Sequence, residues 1–138
     1  MTDPSLALQK AIRARLIGSS SVTDLVPADH VFDGATRPEA FPSIIIGDGQ
    51  TVLEGDHYRA WRNTTVYADI HIWALESGLE LVKAIAGAVW NAIGTSLDVP
   101  GFLLTDGVHV TGARYMRDPS QKQGHAIVSL SALMGEQL

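Results

Sequence analysis

The sequence predicts an α+β domain in which a mainly antiparallel sheet of about four strands carries two main helices. Three observations support this. Residues 4–17 and 78–97 repeat apolar side chains every three or four positions, the period of a helix with a buried face. Residues 64–75, 108–116 and 126–133 alternate with period two, and residues 43–47 form a β-branched run that closes on glycine. Short turn-rich links join strand to strand, which favours antiparallel neighbours.

Taken in order, Asp3 caps the first helix and Pro4 fills its first position, where no donor is needed. Leu8, Ala11, Ile12 and Leu16 form its stripe, Arg15 lays its stem beside them, and Gly18 ends it. Val22 to Val26 adds a short helical turn before Pro27. Residues 27–42 hold three prolines, Gly34, Asp29 and Asp33, and read as an irregular connection. The strand Ser43-Ile44-Ile45-Ile46 closes on Gly47-Asp48-Gly49, and residues 48–63 are expected to form an arm or a hairpin. The clearest strand, residues 64–75, sets Val66, Ala68, Ile70, Ile72 and Ala74 against Tyr67, Asp69, His71 and Trp73. Ser77-Gly78-Leu79-Glu80 fits a capping box. The helix behind it runs to about Leu97, with Val82, Ile85, Val89 and Ile93 as its core stripe. Its other side is nearly as apolar, so burial on two sides is expected. The small row Ala84, Gly87, Ala88 and Asn91 suits close packing of the first helix. The last two strands form a hairpin about the polar link at residues 118–124.

The chain of 138 residues has room for one domain, taken as residues 1–138. Charged residues make up 18%, below the roughly 25% of an average chain, so part of the surface is expected to be covered, by identical copies among other partners. Ten Lys and Arg against fifteen Asp and Glu give a net charge of −5 with no basic stripe, which argues against a phosphate-gripping surface. The absence of cysteine excludes disulfides, thiolate metal sites and a cysteine nucleophile. Met1-Thr2-Asp3-Pro4 does not open like a signal peptide and no stretch is long and apolar enough to span a membrane, so synthesis in the cytosol is expected.

Asp69 and His71 project from one strand face and are the best pair for acid–base or metal chemistry. A metal site needs a third and usually a fourth ligand, and His57, His109 and His125 sit in separate segments without ligand spacing. Neither Gly-x-Ser-x-Gly nor Ser-x-x-Lys occurs, and Gly47-Asp48-Gly49 lacks the rest of a phosphate loop. No catalytic residue, metal or cofactor is therefore expected. A small-molecule-binding domain would have only Tyr67, Asp69 and His71 to work with.

The order of signals resembles the tail completion, or tail terminator, family of long-tailed bacteriophages and gene transfer agents. The likeness rests on the N-terminal helix with Leu8, Ala11, Ile12 and Leu16, and on Phe41-Pro42-Ser43-Ile44-Ile45-Ile46-Gly47-Asp48. It continues through Ile70-His71-Ile72-Trp73-Ala74 with Gly78 and Leu81-Val82-Lys83-Ala84-Ile85-Ala86. It ends in Arg114-Tyr115-Met116-Arg117-Asp118-Pro119 with Gly124-His125-Ala126-Ile127-Val128. The resemblance implies a virion protein without enzymatic activity, assembled in the host cytoplasm. It implies a homo-oligomeric ring, commonly six-fold, on the head-proximal end of the tail tube. There the ring would stop polymerisation of the tail tube protein and meet the head–tail connector, while DNA passes through without specific binding. A connector or a tube subunit would share the ring habit. Asp48, Glu54 and Asp56, with no Lys or Arg among residues 48–56, are candidates either for the lumen or for a contact between subunits.

Overall fold

The computed structural model describes residues 3–34, 38–54, 61–94 and 96–138. Helix α1 covers Pro4–Ile17; Asp3 Oδ1 accepts the Leu6 N–H at 3.1 Å and the Gly18 N–H returns to the Ala14 carbonyl. A short helix α2 covers Ser20–Thr23, and Val22 and Val26 are both fully buried. A single 3-10 turn at Ala28–His30 leads into strand β1, Val31–Asp33. β2 is Ser43–Leu53, β3 Trp61–Leu75, α3 Glu80–Ile93, β4 Leu103–Asp118 and β5 Gln123–Gln137. The five strands form one sheet in the order β1-β2-β3-β5-β4, antiparallel throughout except where β1 runs parallel to β2.

The helices cover one face of this sheet. Val66, Ile70 and Ile72 of β3 and Ala126, Val128 and Leu130 of β5 point into that core, beneath Leu8, Ile12 and Leu16 of α1. Val82, Ile85, Val89 and Ile93 of α3 are between 0% and 1% exposed and form the other half of the layer.

Several elements differ from the sequence expectation. Residues 27–42 are not wholly irregular, because Val31, Phe32 and Asp33 pair with Ile44, Ile45 and Ile46. Three residues are too few to display a period, and the strand exists through its neighbour. β2 does not stop at Gly47-Asp48-Gly49. It bulges there, between Ile46 opposite Ile70 and Gly49 opposite Ala68, and continues to Leu53. The glycines serve close approach: a Cβ on Gly49 would lie 2.6 Å from Ser5 Oγ, and one on Gly47 would lie 3.0 Å from the His71 ring. β2 and β3 thus form a hairpin, closed on the near side by Glu54 N–H to the Asn63 carbonyl at 3.1 Å.

The capping box does not form. Leu79 occupies the N-cap of α3 without a side-chain bond, and Glu76 accepts the Leu81 and Val82 amides at 3.0 and 2.9 Å, one on each carboxylate oxygen. A carboxylate there also faces the positive end of the helix dipole, so it does the work assigned to Ser77 and Glu80. Glu76→Ala is expected to cost about 1–2 kcal/mol and Ser77→Ala under about 0.5 kcal/mol, measured by urea unfolding. Equal effects would contradict this cap. The helix ends at Ile93, short of Leu97, although Leu97 and Val99 still reach the core. Within one chain it is buried on one side only. Ala84, Gly87 and Asn91 are exposed, and a Cβ on Gly87 would meet nothing within 4 Å, so this row does not pack the first helix. α1 approaches α3 from elsewhere: Arg15 donates to the carbonyls of Ala92 at 2.9 Å and Ser96 at 2.7 Å, closing the C-terminal end of α3.

Candidate assembly surface

The strand positions out of phase with the core form the second face of the sheet, which carries no helix among the described residues. Trp73 and Ile127 are 8% and 7% exposed there, while Tyr67 is 46% exposed. His71 and Asp69 do not act as a pair. Asp69 Oδ1 accepts the Ser129 hydroxyl at 2.7 Å, and His71 Nδ1 meets His125 Nε2 at 3.0 Å. His125 in turn stacks on Trp73 with ring centroids 3.7 Å apart. One imidazole of the contact must donate and the other accept, so at least one is neutral in this arrangement. No spacing in the sequence links His71 to His125. The link arises from register, because Trp73 lies opposite His125 and His71 opposite Ile127, which puts the two histidines on one diagonal.

Among the described residues, no three His, Cys, Asp or Glu side chains converge as metal ligands. A depression of about 440 Å³ on this face is lined by Asp48, Gln50, Tyr67, Asp69, Thr111 and Ser129. It brings together two carboxylates, two hydroxyls, an amide and a phenol, with the Ser129 hydroxyl bonded to Asp69. A larger groove of about 600 Å³ lies between α1 and residues 97–100, floored by Ala7, Ala11 and Ala14.

Asp48 is exposed on the rim of the smaller depression, and Glu54, also exposed, accepts the hydroxyl of Thr65 on the same face. Asp56 lies outside the described residues, as does His57. Val82, Ile85, Val89 and Ile93 stand in the core and form no part of a surface. What the surface offers instead is apolar area, in Leu53, Leu75, Leu103 and Trp90, between 46% and 65% exposed. In a chain with so little charge, these residues are the candidates for contact with other macromolecules.

Among the described residues, the features on the surface are an open sheet face and exposed apolar side chains. Residues 10–135 match the family model described as tail completion protein gp17, and the chain belongs to that family. By that membership it is a tail completion protein. A chain in the virion of a native gene transfer agent particle superposes with a TM-score of 0.81 at 20% identity, over 97% of this chain and 99% of that one. The gp17 protein of bacteriophage SPP1 superposes with a TM-score of 0.60 at 21% identity, over 93% and 88%. At these identities the likeness concerns the fold. No curated protein sequence matches.

Proposed function

We propose that the protein forms a closed ring, six-fold in its expected form, on the head-proximal end of a tail tube. The ring ends polymerisation of the tube protein, meets the head–tail connector and lets DNA pass without specific binding. The observation that carries this reading is membership of the tail completion family, in a chain that leaves Leu53, Leu75, Leu103 and Trp90 exposed. A head-to-tail ring contact covers two different patches of each subunit, which accounts for apolar exposure on both α3 and the strands. Among the described residues, no helix is long and apolar enough to cross a membrane.

The test is to add purified protein at micromolar concentration to purified tail tubes and follow mass by light scattering and tube ends by electron microscopy. One ring per tube end and no further growth is the expected result. A chain that remains monomeric even on tube ends overturns the proposal, and one that grows into tubes unaided is a tube subunit. Asp69→Asn and His71→Ala are expected to leave capping intact, because Asn still accepts the Ser129 hydroxyl and the His125–Trp73 stack does not need His71. Loss of capping at normal stability in either variant would place a working site on this face.

A further inference from the structure

Among the described residues, no strand pairs with the outer backbone of residues 47–53 of β2 or of residues 112–117 of β4. β1 covers only Ile44, Ile45 and Ile46 of β2, so residues 47–53 are paired on the β3 side alone. At the far edge, β4 pairs with β5 and no other strand. Alternate residues of an antiparallel edge strand turn both N–H and C=O outward, and folded proteins guard such rows with bulges, prolines, lysines or a covering element. The first half of β4 is guarded by bulges between Leu104 and Val108 and between Val110 and Gly112. Residues 112–118 run without bulge, proline or lysine, and are exposed from Arg114 to Arg117.

We infer that residues 112–118 of β4 pair antiparallel with residues 47–53 of β2 in a second copy of this chain, with Arg114 set against the acids Asp48 and Glu54. This rests on the ring reading above and names its subunit contact. The direction follows from topology. β2 and β4 run in opposite directions within one sheet, so copies placed edge to edge in the same orientation meet antiparallel. The face follows from register. Arg114 lies opposite Ile127, and Met116 opposite His125, which puts both on the helix-free face with Asp48 and Glu54. Any face-matched register that overlaps the two segments sets Arg114 opposite one of these acids or one same-face position away from it. Val52, 36% exposed, falls beside Met116 or its neighbours and supplies apolar contact.

The contact uses a different edge on each copy, so it is heterologous and propagates around a ring. Ala113 is level with Ile46 through Val128 and Ile70. To reach residues 47–53, the second copy is displaced along the strand by roughly four to eight residues, or about 13–26 Å. That displacement carries its β1 clear of the pairing strand.

The absence of cysteine makes the test direct. Arg114→Cys is combined in turn with Asp48→Cys, Gln50→Cys, Val52→Cys and Glu54→Cys, and each full-length double variant is oxidised and run on a non-reducing gel. At least one combination is expected to give a covalent ladder up to the ring size. If all four stay uncrosslinked while light scattering shows a closed oligomer, the edge contact is wrong and the ring stands. If scattering of the parent chain shows only monomer even on purified tube ends, both are wrong. In parallel, Arg114→Glu is expected to raise the concentration at half-assembly about tenfold or more, and Asp48→Lys with Glu54→Lys to do the same. Combining all three should restore assembly to within about threefold of the parent. Failure of that rescue, with circular dichroism unchanged, overturns the assignment of the charges.

Discussion

Val89→Asp is expected to abolish folding and, with it, every assembly. Val89 is 0% exposed in the middle of the α3 stripe, between Ile85 and Ile93, with the sheet beneath it. A carboxylate there either stays charged without a partner or takes up a proton and remains a buried polar group without one. The cost is about 3–5 kcal/mol, added to the lost packing of the valine, in a domain whose whole stability is expected to lie near the low end of about 5–15 kcal/mol. Insoluble expression, or loss of cooperative urea unfolding, is the predicted readout. Trp90→Asp is the control, because Trp90 is 46% exposed on the solvent-facing part of the same helix and its replacement should leave the monomer folded. A soluble, cooperatively unfolding Val89→Asp would show that the helix is rotated from the orientation described.

The two helices and the central strand were legible because each is long enough for its period to register. α1 presents Leu8, Ile12 and Leu16 at helical spacing, with its cap and terminator in place, and β3 alternates over most of its length. What escaped was decided between segments rather than within them. β1 is three residues long, and only the run of isoleucines beside it makes it a strand. Gly47 and Gly49 look like turn residues in one dimension, whereas in three they make room for His71 and Ser5. The pattern Ser77-Gly78-Leu79-Glu80 satisfies the capping rule, yet the helix starts later and Glu76 takes the Leu81 and Val82 amides. The His71–His125 contact and the bare outer edge of β4 depend on strand order, which periodicity does not encode. The low charge was the one compositional signal that pointed toward assembly, and it carried no address on the surface.

Arg15→Glu is expected to produce the second large loss, about 3–4 kcal/mol, although the residue sits on a surface helix and the sequence suggests only a stem laid along its apolar stripe. The guanidinium donates to the Ala92 carbonyl and to the Ser96 carbonyl, 77 and 81 positions away in the chain. Carbonyls at the C-terminal end of a helix lack intrahelical donors and carry the negative end of its dipole, so a cation is favoured there and an anion opposed. Hydrogen bonds from a charged donor contribute about 1.5–3 kcal/mol, and Arg15→Ala should lose an amount of that order. Glutamate adds repulsion from the same carbonyls, whereas lysine, with a single point charge, should recover part of the loss by reaching one of them. Urea unfolding of the three variants gives the expected order of stability, lysine above alanine above glutamate. Equal stabilities for alanine and glutamate would mean that Arg15 contributes packing alone and that α1 and α3 are held together only by their apolar sides.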